Sequence, residues 1–252
     1  MLPSVVLPLC CGLNVLPWRW ARHSSRLNAE AALIASAHST KRVALARALA
    51  SIASLAAPPL CAACGAGRSS EGVLCGRCEA DLAGAPRVIE PGPPGVDLAV
   101  AASPFDGPAR RVVHGLKYAR RLSLAGVAAA AMVRALPAHD VPETVVPVPA
   151  GPWRWRWRGF DPAEEIAIAI AARTGLPLNE CLRRGGGRRQ VGRRRSERLA
   201  DPPSVWAASE CPREALLVDD VWTTGATLAA CAHALRVGGC RRVVALTLAR
   251  AL

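Results

Sequence analysis

The segment from Leu216 to Leu228 constrains the fold of this chain more than any other part of the sequence. It consists of an apolar run, the adjacent carboxylates Asp219 and Asp220, a turn rich in threonine and glycine, and a second apolar run. An apolar strand that leads through a polar turn into a helix is typical of a parallel sheet covered by helices. The sequence therefore predicts an α/β domain with this turn at the carboxyl edge of the strands, where ligands bind in open sheets.

The rest of the chain beyond residue 95 follows the same alternation. Apolar strands are predicted at 96–102, 144–148, 215–218 and 242–248, and helices at 108–136 (one or two), 161–174 and 227–237. The helix at 161–174 has complete boundary signals, because Asp161 can cap it, Pro162 lies in its first turn, Glu164 completes a capping box and Gly175 ends it.

The turn after the two aspartates has the composition of a phosphate site. It provides several backbone N–H groups, three hydroxyls and a helix N-terminus, from residues Thr223, Thr224, Gly225, Ala226 and Thr227. Two adjacent carboxylates repel each other when desolvated, but they can accept hydrogen bonds from vicinal ribose hydroxyls and hold Mg²⁺ through water. We interpret the segment as a ribose 5-phosphate site rather than an ordinary acidic loop.

Four cysteines form two pairs of C-x-x-C spacing. Cys61 and Cys64 are separated by ten residues from Cys75 and Cys78, an arrangement that predicts a structural zinc site with four sulfur ligands. An iron–sulfur cluster or two disulfides are the alternatives. The proline- and glycine-rich residues 90–95 read as a linker, so we expect a zinc module at 60–90 and the main domain at 96–252.

The N-terminal part of the chain carries no motif. Residues 1–40 are expected to be a disordered leader or the product of a mis-assigned start codon, and 41–59 to form a helix. No run of eighteen apolar residues exists, so we expect a cytoplasmic protein without membrane insertion. The net charge of +13 favours anionic partners. However, arginine is used almost everywhere in place of lysine, which also fits a bias in genome composition.

One lysine and two arginine-containing segments are further candidates for binding. Lys117 is the only lysine of the predicted main domain, and a compact ammonium suits a phosphate. The alternation of tryptophan and arginine at 153–158 predicts either a surface that stacks on single-stranded nucleic acid or a strand-like hairpin with its tryptophans packed inward. The eight arginines of 183–198 indicate a loop that closes over pyrophosphate, a nucleic-acid contact, or a solvated charge run.

Several motifs together resemble those of a known family. The acidic segment is similar to the signature of type I phosphoribosyltransferases that binds 5-phosphoribosyl-1-pyrophosphate (PRPP), and the chain from about residue 58 onward resembles the ComF family. The matching pieces are the four cysteines, His114-Gly-Leu-Lys117-Tyr118, Val146-Pro-Val-Pro149, Arg158-Gly159-Phe160, Gln190 and Glu197-Arg198.

The resemblance implies a parallel-sheet type I phosphoribosyltransferase fold preceded by the zinc module. In it, Asp219, Asp220 and Lys117 would serve catalysis, and the PRPP contacts would come from residues 223–227, Pro149, Arg158, Gln190 and Arg198. Mg²⁺ would be the second cofactor beside zinc. The chain would then transfer phosphoribosyl to an acceptor and release pyrophosphate. Alternatively, it would be a sensor or a binding protein for single-stranded DNA, with DNA-uptake or helicase proteins as partners.

Overall fold

The computed structural model describes residues 60–67, 72–185 and 203–251. The predictions for residues 1–40 and 41–59, and those for Gln190 and Arg198, lie outside the described residues. Within the described part of the chain, no helix has the length and apolar character that crossing a bilayer requires.

The centre of the fold is a five-stranded sheet of order β1-β2-β7-β6-β3, in which β1 is antiparallel to β2 and the other neighbours are parallel. Its strands are β1 (Val88–Glu90), β2 (Leu98–Pro104), β3 (Thr144–Pro147), β6 (Glu214–Trp222) and β7 (Arg242–Arg250). A separate antiparallel hairpin pairs β4 (Leu182–Arg184) with β5 (Val205–Ala207). The predicted α/β architecture with a mostly parallel sheet is confirmed.

Both faces of the sheet are buried, which explains why its strands are apolar without interruption. Successive side chains of a strand point to opposite faces. Accordingly, Leu216 and Val218 belong to one apolar core and Ala215 and Leu217 to another. The sheet is therefore covered by helices on both sides, with the main cores between sheet and helices.

Six α-helices connect or cover the strands. They are α1 (Gly76–Ala83), α2 (Gly107–Ala119), α3 (Ser123–Ala135), α4 (Pro152–Arg158), α5 (Pro162–Thr174) and α6 (Ala226–Val237), as far as the described ranges extend. The predicted helical stretch at 108–136 is two helices, because Arg120 adopts a left-handed backbone (φ 51°) at the end of α2. At α5 the predicted boundaries are confirmed: Asp161 caps the helix and Gly175 (φ 75°) ends it.

Two sequence expectations need correction. The strand at 215–218 continues as far as Trp222, so the acidic pair lies inside β6 rather than after it. The strand-like hairpin considered for 153–158 is wrong, because Pro152 begins and Gly159 (φ 75°) ends the short helix α4. In this helix the three tryptophans are not packed inward. Trp153, Trp155 and Trp157 remain 58%, 55% and 65% exposed.

The cysteine-containing segment shares the core of the sheet. Cys61, Leu74, Cys78 and Leu82 belong to the same apolar cluster as Val112 of α2. Downstream of them, β1 extends the sheet at its edge. The residues on either side of the proline- and glycine-rich linker therefore contribute to one sheet and one core.

Candidate functional site

A cleft of about 250 Å³ lies at the carboxyl edge of the parallel strands. The loops that follow β3 and β6 meet there, since the carboxyl ends of parallel strands share one edge of a sheet. The charged and hydroxyl-bearing residues that line it are Lys117, Arg154, Arg158, Asp161, Arg184, Asp219, Asp220, Thr223, Thr224 and Thr227. Three carboxylates and four cations therefore face a single cavity.

The acidic pair and the lysine meet directly in the cleft. Lys117, near the end of α2, places its Nζ 2.7 Å from both carboxylate oxygens of Asp220. The two side chains are 22% and 8% exposed, so water screens their ion pair only partly. Lys117 thus neutralises one of the two adjacent carboxylates.

Asp219 is in a different electrostatic environment. Burial, and then repulsion by the Asp220 carboxylate, raise the pKa of Asp219 to about 7. Lys117 and the backbone N–H of Asp220 act in the opposite direction, the latter through a 2.8 Å hydrogen bond to Asp219 Oδ1. Asp219 therefore changes its charge near neutral pH, where a carboxyl group would ordinarily be fully ionised.

The threonine-rich turn forms the N-terminal end of α6. Gly225 is the residue before the helix and has a φ of 80°, a conformation that a side chain disfavours. Thr223, Thr224, Ala226 and Thr227 line the cleft, whereas Gly225 is not among its lining residues. A Cβ atom on Gly225 would lie only 3.0 Å from Pro93 Cβ and 3.1 Å from Trp222 Nε1. The turn is thus packed closely on its side away from the cleft.

The loop after β3 is fixed by Asp161. One carboxylate oxygen of Asp161 accepts a 2.6 Å hydrogen bond from the Ala150 backbone N–H, and the other caps α5 by accepting from Ala163 at 3.0 Å. Burial raises the pKa of Asp161, and these two N–H groups oppose that shift. Pro149 and Ala150 line the cleft as a result. The sequence indicated the cap but not the second hydrogen bond.

Three arginines add positive charge to the cleft. Within the described residues, none of Arg154, Arg158 and Arg184 forms an ion pair with a carboxylate. The Nε atom of Arg158 is buried and has no hydrogen-bond partner in the described part of the chain, although its guanidinium lies 5.6 Å from the Tyr118 ring centroid. Burial, and then the neighbouring Arg154, lower the pKa of Arg184. Arg158 and Arg184 are partly buried and Arg154 is exposed, and together the three positive charges favour an anionic ligand.

The cleft brings together most of the residues singled out in the sequence. Those that line it are Lys117, Pro149, Arg158, Asp219, Asp220, Thr223, Thr224, Ala226 and Thr227. Arg154 and Arg184 belong to the basic segments 153–158 and 183–198 that the sequence offered as binding candidates, but neither was named individually as a site residue, and Asp161 was expected only as a helix cap. The four-residue spacing of Arg154 and Arg158 would have placed them on one face of a helix, had α4 been recognised. Arg184 lies in the arginine-rich segment for which a loop over pyrophosphate was one interpretation, but nothing distinguished it from the neighbouring arginines.

The four paired cysteines lie together, as predicted. Their Sγ atoms are all within 4.8 Å of one another, and those of Cys64 and Cys75 are 3.7 Å apart. A tetrahedral zinc ion with Zn–S bonds of about 2.3 Å requires S···S distances of about 3.8 Å. Arg111 approaches Cys78 Sγ at 3.9 Å and adds a positive charge beside the sulfurs. The donor set and its spacing fit a zinc ion.

The chain is similar in part of its sequence to a curated competence protein. It is 31% identical over 107 residues to the competence protein ComFC of Streptococcus pneumoniae (strain ATCC BAA-255 / R6). The match covers 42% of this chain and 47% of the relative, so it spans about half of that protein's length. No family model matches the chain.

Proposed function

We propose that this chain is a ComF-type protein with a type I phosphoribosyltransferase fold that binds PRPP and transfers its phosphoribosyl group to an acceptor. The observation that carries the proposal is the convergence, in one cleft, of the Asp219–Asp220 pair, a threonine-rich helix N-terminus and three arginines. These three groups match the ribose diol, the 5-phosphate and the pyrophosphate of PRPP. The similarity to a ComFC protein supports the ComF assignment.

The 5-phosphate binds at the turn that begins α6. Helix N-termini carry unpaired N–H groups and a partial positive charge, both of which favour a phosphate. Thr223, Thr224 and Thr227 add hydroxyl donors on the cleft side. The left-handed Gly225 provides the sharp entry of the chain into the helix.

The ribose hydroxyls bind at the two aspartates. A carboxylate accepts hydrogen bonds best when it is ionised, so Asp219 acts in its deprotonated form. Asp220 is held in place by its ion pair with Lys117 at 2.7 Å. The two neighbouring carboxylates thereby orient the sugar with respect to the bond that breaks.

The pyrophosphate binds at the three cleft arginines, which form no ion pair with a carboxylate of the described residues. Arg154, Arg158 and Arg184 line the cleft together with the backbone of Pro149 and Ala150, which Asp161 holds. Mg²⁺, when bound, would neutralise part of the pyrophosphate charge. Asp219 and Asp220 line the cleft, and their carboxylate oxygens are the kind of group that would contact that ion through water.

The transfer exchanges one bond at the anomeric carbon of PRPP. The bond from this carbon to the pyrophosphate oxygen breaks with both electrons leaving on pyrophosphate, and the acceptor's lone pair forms the new bond. Positive charge develops on the sugar, and negative charge on the leaving group. The protein's contribution is to hold both ends of PRPP and to stabilise the leaving pyrophosphate with its arginines.

Release of pyrophosphate tests the transfer. The full chain would be incubated with PRPP, Mg²⁺ and a panel of purines, pyrimidines and amines. We expect release with at least one acceptor, and its loss in the double variant Asp219→Asn/Asp220→Asn. Asp81→Asn, an exposed position on α1, serves as the matched control. Release that persists in the double variant would contradict the assignment of the site.

A second candidate function is the binding of single-stranded DNA, favoured by the exposed tryptophans of α4. Trp153 and Trp157 are four residues apart, so they lie on one face of the helix. Exposed aromatic rings among arginines can stack on bases and contact phosphates. In this reading the chain handles DNA during uptake, with DNA-uptake or helicase proteins as partners.

Binding of a labelled oligonucleotide at several salt concentrations tests this second function. We expect an affinity that falls steeply with salt, and a loss of about tenfold or more in Trp153→Ala/Trp157→Ala, since stacking contributes about 1–3 kcal/mol per base. Trp206→Ala, a substitution at a 48% exposed tryptophan on β5, is the control. Equal affinities for all three proteins would exclude α4 as the contact.

A further inference from the structure

Arg250, the last residue of β7, contacts the backbone at the start of the phosphate turn. Its Nη1 donates to the carbonyl oxygens of Trp222 at 3.4 Å, of Thr223, and of Ala251 at 2.9 Å. The side chain is only 12% exposed and does not line the cleft. In a trans peptide the C=O and the following N–H point in opposite directions. Holding the Thr223 carbonyl therefore turns the Thr224 N–H away from Arg250.

A second connection runs through the indole ring of Trp222. The guanidinium carbon of Arg250 lies 4.0 Å from the centroid of this ring, within the range of a cation–π contact. Trp222 is 5% exposed, and its Nε1 lies 3.1 Å from the position that a Cβ atom on Gly225 would occupy. The ring thus supports the turn at Gly225, while the guanidinium holds both the ring and the preceding carbonyls.

From these contacts we infer that Arg250 is a positioning residue for the phosphate turn, acting on the 5-phosphate end of the ligand and not on the pyrophosphate end. The inference rests on the proposed function. Glu90 adds a longer ion pair, with Oε2 3.6 Å from Arg250 Nε. A lysine has no planar group to stack on Trp222, so it would keep a charge near the carbonyls but lose the contact with the ring.

Separate titrations with ribose 5-phosphate, inorganic pyrophosphate, and PRPP with Mg²⁺ test the inference. For Arg250→Gln we expect affinity for ribose 5-phosphate and PRPP to fall by about tenfold or more, because small displacements of binding groups are costly. Affinity for pyrophosphate should change by less than about twofold, since its binding groups do not contact Arg250. Arg250→Lys should be intermediate.

The matched control is Arg242→Gln, at the opposite end of the same strand. Arg242 also forms ion pairs, at 2.6 Å to Asp140 and 3.6 Å to Glu214, but lies far from the turn along β7. The Arg242→Gln variant should be less stable than the parent chain but should keep the same ratio of affinities for ribose 5-phosphate and pyrophosphate. The ratio of the ribose 5-phosphate and pyrophosphate affinities is a readout that a merely structural role of Arg250 would leave unchanged.

Each contrary outcome identifies what fails. If folded Arg250→Gln or Arg250→Lys protein binds ribose 5-phosphate as the parent chain does, the inference is overturned and the proposed function stands. Equal losses for ribose 5-phosphate and pyrophosphate would also overturn it, because they indicate a general structural effect. A parent chain that binds none of the three probes would overturn the proposed function, and the inference with it.

Discussion

At the scale of single residues, the two adjacent aspartates have different roles. Asp220 is paired with Lys117 at 2.7 Å, whereas burial and the neighbouring charge raise the pKa of Asp219 to about 7. The pair therefore combines one carboxylate that forms an ion pair with one whose charge changes near neutral pH. Only the ionised form of Asp219 accepts hydrogen bonds from both ribose hydroxyls without donating one.

The affinity for ribose 5-phosphate should consequently rise as pH increases through about 7. In Asp219→Asn this rise should be missing, because the amide does not titrate. The ligand's phosphate itself titrates near pH 6, but this contribution is common to both proteins. Calorimetry between pH 5.5 and 8.5 measures the difference, and identical pH profiles would show that Asp219 does not contact the ligand.

The same pKa also predicts a cost in stability. Because the pKa of Asp219 is higher in the folded chain than in the unfolded one, stability should decrease as pH rises from about 4 to about 7 and then stay level with respect to this group. Above pH 7, Asp219→Asn should therefore melt about 2–4 °C higher than the parent chain. The difference should vanish near pH 4, and a lower melting temperature of the variant at pH 8 would contradict the assignment.

Residues of the site differed in how much the sequence revealed. Asp219, Asp220 and the threonines were predictable because adjacent carboxylates and a glycine turn between a strand and a helix have few structural uses. The second hydrogen bond of Asp161 was not, since Ala150 reaches it only once the loop after β3 has folded back onto α5. Arg184 reaches the cleft through the β4–β5 pairing, which its surrounding arginines and glycines did not indicate.

At the scale of elements, the phosphate turn depends on the residue that precedes α6. Gly225 and Gly239 lie near the two ends of this helix and both have positive φ, 80° and 91°. A Cβ atom would meet Pro93 and Trp222 at Gly225, but no atom within 4 Å at Gly239. The two positions therefore separate backbone strain from steric contact.

Gly225→Ala should destabilise the protein by about 1–3 kcal/mol more than Gly239→Ala, because overpacking adds to the strain at the first position only. It should also weaken PRPP binding, whereas Gly239→Ala should not. Urea unfolding and PRPP titration of both variants measure these effects. Equal free energies of unfolding for the two variants would show that Trp222 and Pro93 can move to accommodate the added methyl group. The packing beneath the turn would then not be what fixes its conformation.

Elements with strong periodicity or clear caps were predictable, and short ones were not. Helix α5 matched its prediction because Asp161, Pro162 and Gly175 specify both of its ends. The seven residues of α4 were too few for a helical period to emerge from alternating tryptophan and arginine. Strand β6 was predicted too short, since the sequence does not reveal that hydrogen bonding to β7 continues past the carboxylates to Trp222.

At the scale of the whole molecule, the cysteine cluster and the sheet share one core. Cys61 and Cys78 are buried in the cluster that also contains residues of α2, α3 and α5. Four thiolates so close together repel each other unless a cation neutralises them. We therefore expect the cation site to stabilise the fold as a whole and not a separate module alone.

The purified chain should contain one zinc ion, and its removal by a chelator should lower the melting temperature by roughly 10 °C in a single transition. Cys64→Ser should do the same, whereas Cys211→Ser, at a partly buried cysteine outside the cluster, should retain the zinc. Elemental analysis combined with thermal unfolding provides the measurement. A purified chain that contains no metal, or a melting temperature that the chelator does not change, would contradict the zinc assignment.

Calorimetric titration of the full chain with PRPP and Mg²⁺ tests the central claim most directly. The cleft geometry predicts saturable binding of one PRPP per chain, lost in Asp219→Asn/Asp220→Asn and retained in Asp81→Asn. If the folded parent chain binds no PRPP, or if the double aspartate variant binds it equally well, the cleft at the end of β6 is not a PRPP site.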